Sequence, residues 1–280
     1  MGAHLRRLRK SKGLRLIDVV KAGLVGSAPT LSRIETGSTP LKEDVVLALA
    51  RFYGAGDQDL QSLHKLIRRS ESAAWWEEFR DAIPGWLERL ISVESSAEEI
   101  RTYELQFVPG PLQSSSYARA LSRHAYPHSS GGGDDDEVER KVKVRQARRE
   151  NLTGPQGPAY YAVLDEAVLA RPIGGHRVMR AQLRDLYNLE ENHERIHIRI
   201  LPFSASEEVI APAPAITYLG MPSAPEDAMV YLEVRYGGSY LTDQDQVERH
   251  QLALANLWRN AVSRDATLGL LQKYIDQLSQ

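Results

Sequence analysis

At 280 residues the chain is long enough for two domains with a sizeable core, and 42% hydrophobic with 26% charged residues is the balance of an ordinary globular protein. It contains no cysteine, which excludes a disulfide framework and any thiolate zinc or iron–sulfur site. The formal charge of −2 hides an asymmetry: residues 1–71 carry 13 Lys and Arg against 7 Asp and Glu, and the remainder 22 against 30. A polyanion is therefore expected at the basic N-terminal end and repelled by the rest. The start, MGAHLRRLRK, has no apolar run after its charges, and no stretch approaches the roughly 20 apolar residues of a membrane span. The expectation is a cytoplasmic protein with no membrane partner.

LRRLRKSKGL, from Leu5, reads as a basic amphipathic helix ending at Gly13, and LIDVVKAGL, from Leu16, as a second helix running into a turn around Gly23 to Gly26. The stretch SAPTLSRIETG follows. Ser27 is placed to cap a helix, Pro29 suits its first turn, and Gly37 suits the left-handed position that ends it. Leu31 and Ile34 form one narrow apolar stripe, so the face with Ala28, Pro29, Ser32 and Arg33 has nothing to bury against. A helix this short must be pinned by its neighbours. Small residues and one guanidinium facing outward are what a recognition helix presents to a DNA major groove. After a loop containing Pro40 comes EDVVLALARFYG, a helix that stops at Gly54. Short helices in this number and order form a compact helix-turn-helix domain.

This N-terminal stretch resembles the Xre type of helix-turn-helix domain. The likeness is carried by Leu5, Arg6, Leu8 and Arg9, by Gly13-Leu14, and by Ser27, Leu31, Ser32, Arg33, Ile34, Glu35 and Gly37. It implies base-edge contacts from Ser27, Ala28, Pro29, Thr30, Ser32 and Arg33, and phosphate contacts from Arg6, Arg9, Lys10, Arg15 and Lys42. It also implies a structural pair between Arg9 and Glu35. Two departures matter. Many relatives open the second helix with Thr-Gln, whereas this chain has Arg15-Leu16, so phosphate contact there falls to Arg15 or to the helix terminus. Ala28 and Pro29 offer no hydrogen bonds, so direct readout rests on Arg33, bidentate to a guanine, with the apolar pair against thymine methyls.

Leu60, Leu63, Leu66 and Ile67 mark a connecting helix that ends in the polar run at Arg68–Ser72. The expected domains are therefore 1–72 and 73–280. Next, AAWWEEFRDAIPGWLERLISVE carries Trp75, Trp76, Phe79 and Trp86, read as a core or interdomain helix rather than a ligand-stacking platform. IRTYELQFV alternates as a strand and is closed by Pro109-Gly110-Pro111, before the helix SSSYARALSRHAY. His128 to Glu137 reads as an acidic loop, and after three glycines its aspartates have nothing to hold them as metal ligands. A charged helix follows from Glu137, then a strand and turn over YYAVLDEAVL and an amphipathic helix with Val178, Leu183, Leu186 and Leu189 inward. IHIRILPF, ITYLGM and MVYLEVRY are three strands by their period-two pattern, and from GGSYL to the end the chain reads as helices. The fold class is an all-α N-terminal domain followed by a larger α+β domain, an antiparallel sheet with packed helices.

Two enzyme-like patterns fail on context. His193-Glu194-Arg195-Ile196-His197 fits H-E-x-x-H, but that signature needs a helix to bring both imidazoles to one side, and here His197 lies in a strand pattern. Asp165 and Glu166, adjacent at a strand end, face opposite ways; Asp165 suits a cap better than a catalytic pair. No catalytic residue, metal site or cofactor is expected.

From about Trp75 onward the chain resembles the C-terminal domain of the WhiJ-like, antitoxin-like class of actinomycete regulators. The matching residues include Trp76–Phe79, Arg101–Glu104 with Val108–Gly110, Tyr117–Ala120, Leu152–Gly154, Val163–Ala167, Arg171-Pro172 with Gly174-Gly175, and Leu201–Phe203. The resemblance implies a transcriptional regulator that binds double-stranded DNA, acts as a homodimer, and senses a small partner protein encoded nearby or a small-molecule ligand. An antitoxin-like role, neutralising the partner while DNA binding serves autoregulation, is the alternative it implies. After Phe203 the chain departs from that class, with the acidic, proline-rich SASEEVIAPAPA.

Overall fold

The computed structural model describes residues 2–35, 43–56, 59–60, 63, 83–125, 135–205, 215–221, 225–234 and 237–279. Two compact units emerge, one of Met1–Ala74 with Ser223–Asp227 and the other of Trp75–Pro222 with Ala228–Gln280.

In the first unit, α1 (Gly2–Ser11), α2 (Leu16–Lys21), α3 (Ala28–Glu35) and α4 (Glu43–Phe52) are each too short to hold in water alone. Tertiary packing supplies what length does not. Leu5 of α1, Val19 of α2, Leu31 and Ile34 of α3, and Val46, Leu49 and Ala50 of α4 meet with Tyr53 and Leu63 in one core. Gly23, at φ 76°, takes the left-handed turn that separates α2 from α3, a conformation closed to most side chains.

The second unit is a six-stranded sheet in the order β3-β2-β1-β4-β5-β6. Helix α5 (Gly85–Glu94) leads into β1 (Glu99–Glu104), followed by α6 (Ser115–Ala125) and α7 (Asp135–Thr153). Then come β2 (Ala159–Asp165), α8 (Glu166–Ala170), α9 (His176–Asn192) and β3 (Ile196–Leu201). The chain continues as β4 (Ile216–Gly220), β5 (Met229–Val234), β6 (Gly237–Leu241), α10 (Gln244–Asn260) and α11 (Arg264–Gln277). One sheet face packs on Leu90 of α5, Tyr117 of α6, Leu183 and Leu186 of α9, and Leu271 and Ile275 of α11. The other face, with Tyr103, Val163, Leu201, Ile216 and Val230, is covered by Val247, Leu254 and Leu257 of α10. The result is three layers, with both sheet faces buried.

The α+β class holds, with one refinement. The sheet is mixed: β1 pairs with β2, and β2 with β3, in parallel, whereas β1–β4, β4–β5 and β5–β6 are antiparallel. The physical cause is in the connections, since β1 to β2 and β2 to β3 run through helices, which is what a parallel crossover requires. A sixth strand, β6, stands where the sequence pattern points to helix from GGSYL onward. Gly237 and Gly238 are poor helix formers, and the ring of Tyr231 lies over Gly238, where an added Cβ would come within 2.0 Å of it. Helix α10 starts only after Asp243, whose carboxylate accepts from the Gln246 N–H at 3.2 Å. The strand expected over Ile100–Val108 ends at Glu104, and α7 starts at Asp135, inside the stretch expected as loop. The double-tryptophan helix at Trp75 and Trp76, the boundary run at Arg68–Ser72 and most of the loop after Phe203 lie outside the described residues.

Candidate nucleic-acid interface

Helix α3 owes its position to its buried side. Leu31 is fully buried and Ile34 is 6% exposed. The Ser27 hydroxyl accepts from the Thr30 N–H at 3.3 Å and lies 2.8 Å from the Thr30 hydroxyl, which closes the first turn as a cap. Pro29 sits in that turn, where its missing N–H breaks nothing. With the stripe buried, Pro29, Ser32 and Arg33 are exposed, while Ser27, Ala28 and Thr30 are half-buried at the helix start.

Arg9 and Glu35 clamp α1 to the end of α3. The Nε and Nη2 of Arg9 donate to the two Glu35 oxygens at 2.6 and 2.9 Å, and its Nη1 donates to the Leu14 carbonyl at 2.6 Å. Their side chains are 9% and 3% exposed. A bidentate, desolvated pair of this kind is geometrically specific, and its loss leaves a buried charge behind. The hydrogen bond to Glu35 raises the Arg9 pKa against the cost of burial, so the guanidinium is charged throughout the accessible range. Nearby, burial and then the Glu35 carboxylate push the Tyr53 hydroxyl up to about 12.

This geometry bears on one expected phosphate contact. Each guanidinium nitrogen of Arg9 is engaged inward, on Glu35 or Leu14, which favours the expected structural pair over a phosphate role. The other expected phosphate residues on α1, Arg6 and Lys10, are exposed and one helical turn apart on one face. Arg15 is 77% exposed and rests against Asp18 at 3.4 Å. Asp18 also accepts from the Arg15 N–H at 2.8 Å, and that bond, then the guanidinium, holds its carboxyl below the usual range. Asp18, the third residue of α2, thus closes a capping box with Arg15 at the N-cap. Lys42 and Gly37 lie outside the described residues. Sequence reasoning also passed over Arg7, which pairs with Glu226 of the short Ser223–Asp227 stretch in the same unit and meets the His4 ring. Nothing in the sequence connects positions so far apart.

The enzyme-like patterns are taken apart by the fold. His193 closes α9, whereas His197 lies in β3 and stacks on Tyr161 with ring centres 4.9 Å apart. Asp165 caps α8 by accepting from the Ala167 N–H at 2.9 Å, and Glu166 accepts from the Phe203 N–H and the Tyr274 hydroxyl, each at 2.8 Å. Among the described residues no group of three or more His, Asp or Glu is arranged to hold a metal ion, and no helix is long and apolar enough to cross a membrane.

A family model described as a helix-turn-helix domain matches residues 1–63. A second, described as a domain of unknown function (DUF5753), matches residues 87–273, about two thirds of the chain. The chain belongs to the DUF5753 family. No curated protein and no solved structure matches it. The helix-turn-helix match points to a DNA-binding regulator, and the exposed half of α3 is its candidate reading surface.

The DUF5753 domain has a buried clamp of its own. Arg148 of α7 donates from Nε and Nη2 to the Glu94 oxygens of α5 at 2.9 and 2.7 Å, the two side chains being 10% and 9% exposed. Burial opposes the Arg148 charge, but the Glu94 carboxylate overcomes it and raises the pKa. Behind them Tyr160 is 2% exposed, its hydroxyl pushed well above the ordinary value by burial and then by Glu94. These residues escaped the sequence reading, because a single Arg and a single Glu 54 positions apart leave no local pattern.

Proposed function

We propose that this protein is a sequence-specific transcriptional regulator of the Xre type, in which α3 enters the major groove of double-stranded DNA. The observation that carries the reading is the division of α3. Leu31, Ile34 and Glu35 are buried and pinned, while Pro29, Ser32 and Arg33 project outward from the same short helix. Arg33 reads a guanine edge, Ala28 and Pro29 meet thymine methyls, Ser27, Thr30 and Ser32 line the same groove, and Arg6, Lys10, Arg15 and Lys42 neutralise phosphates. One short helix spans only a few base pairs, so the protein acts as a homodimer on half-sites about one helical turn apart. Residues 1–72 form the DNA-binding domain and 73–280 the dimerising and sensing domain, in a cytoplasmic, non-enzymatic protein of the WhiJ-like, antitoxin-like class.

The test is selection of duplexes from a random pool, followed by binding of the Arg33→Ala variant to the selected sequence. The expected result is a two-fold-related site, with a loss of about 1–3 kcal/mol and relaxed preference at one base pair in the variant. Retention of random sequences alone, or an unchanged variant, overturns the reading. Apolar surface on the second unit favours a partner protein as a further role: Leu252 on α10 is 70% exposed and Phe203 67%. In that antitoxin-like reading the partner stays bound at high salt, when DNA is released.

A further inference from the structure

The connection between β4 and β5 contributes Ser223–Asp227 to the first unit. Within it Pro225–Asp227 forms a single 3-10 turn, and two of its three residues are acids. Proline fixes one φ of that turn, so the two carboxylates are presented from a short, stiff piece of backbone. Helix α1 of the same unit has the opposite composition, with Arg6, Arg7, Arg9 and Lys10 and no acid. Arg9 is engaged by Glu35 and Leu14. Arg6, Arg7 and Lys10 are the cations that α1 has to offer an anion.

Both acids of the turn meet α1. Glu226 pairs with Arg7, and the field of Asp227 reaches His4, about one turn earlier on the helix. His4 in turn meets Arg7 and lies 3.6 Å from Asp59. Arg6, Arg7, Lys10 and Ser11 line one open groove together with Glu226 and Asp227. The acidic turn thus shares a groove with the cations expected to hold phosphates. The Arg7–Glu226 pair is only half-buried, its side chains 36% and 47% exposed, so water and salt reach it and a phosphate can compete for Arg7. The Arg9–Glu35 pair, at 9% and 3%, is a fixed part of the fold by comparison.

We propose that the Pro225–Asp227 turn is an autoinhibitory strap, whose carboxylates hold the anion-binding side of α1 in the free protein and must give way to the phosphates of a duplex. The proposal rests on the DNA reading above for its biological use. Two effects act in the same direction. Glu226 neutralises Arg7, so one cation fewer is available to replace the counterions of DNA. Across the shared groove the two carboxylates also face any phosphate held by Arg6 and Lys10, a repulsion that salt screens beyond about 10 Å at 0.1 M. An exposed pair is weak, equivalent to a factor of up to about five in binding for each acid. The strap therefore sets a threshold and does not block the surface. It lowers affinity for every sequence alike and leaves the choice of base to α3.

The experiment compares the full chain with the double variant Glu226→Gln, Asp227→Asn in binding to two labelled anions, a short random-sequence duplex and linear polyphosphate, which carries the charge without the bases. Expected at low salt is a gain of about 3- to 10-fold for both anions, fading as salt is raised. Glu226→Gln alone, at a half-exposed side chain, should give part of that gain and serves as the second variant if the double one melts early. A control with the same change in net charge on α10, Asp245→Asn with Glu248→Gln, should bind as the parent does. No gain for either anion, or an equal gain in the control, overturns the inference. A gain for polyphosphate with no duplex bound by parent or variant keeps the strap and ends the DNA reading instead.

Discussion

A buried arginine–glutamate clamp stands in each unit of this protein, Arg9–Glu35 in the first and Arg148–Glu94 in the second, and the two do different work. Arg9–Glu35 joins two helices in the unit with the smaller core, and it leaves the outer half of α3 to face outward. Arg148–Glu94 joins α7 to α5 beside a sheet that already has two large apolar faces, and it stands within electrostatic reach of two further carboxyls, Glu104 and Glu233. The same chemistry thus serves as an isolated staple in one unit and as part of a wider charged group in the other. What distinguishes them is the neighbourhood: each Arg9 guanidinium nitrogen bonds to the Glu35 carboxylate or the Leu14 carbonyl, whereas Arg148 also lies in the field of Glu104 and Glu233.

The sharpest test of that contrast removes each carboxylate. Glu35→Ala strands a buried guanidinium and should destabilise the first unit by about 3–5 kcal/mol; hydrogen exchange should rise across α1 to α4 and stay unchanged in the strands. Glu94→Ala should cost the low end of that range, about 3 kcal/mol, because Glu104 and Glu233 still face Arg148; chemical denaturation reads it. A larger loss for Glu94→Ala than for Glu35→Ala would break the comparison. Arg33→Ala, on the exposed half of α3, should cost about 1–3 kcal/mol of binding to the selected duplex with no change in melting temperature. Ser27→Ala removes a cap and should cost about 1 kcal/mol of stability, seen as a small shift in the denaturation midpoint of the first unit.

A last expected effect is a slope with pH. Glu104 holds its proton up to about 8 in the folded chain, whereas the unfolded chain releases it near the ordinary carboxylate value. The folded state therefore binds more protons across that window, and stability falls as pH rises through it. Thermal melts from pH 5 to 8 should show the decline, and Glu104→Gln should flatten it. An unchanged slope would mean that Glu104 is not the group that titrates.

The features of the candidate interface that the sequence disclosed are local ones. The Ser27 cap, the Leu31 and Ile34 stripe and the Asp165 cap each depend on residues within about one helical turn, and the structure places them as that spacing requires. The failure of His193 and His197 to meet was legible for the same reason, since a strand pattern begins between them. Arg9 shows where such reading stops. The amphipathic pattern puts it on a basic helix, but whether it faces phosphate or Glu35 depends on a partner 26 positions away.

By itself, then, the sequence determined helix and strand identity over most of the chain, the basic and acidic halves, and which α3 residues have no apolar reason to be inside. Only the tertiary structure decided that β1, β2 and β3 run parallel, that GGSYL becomes a sixth strand under Tyr231, and that Arg148 closes on Glu94. The reason is range. Periodicity tells each element which face to bury, because neighbours along a helix or strand lie a fixed few residues apart. Which element supplies the opposing surface is settled by packing between positions tens of residues apart, where no short pattern connects the partners.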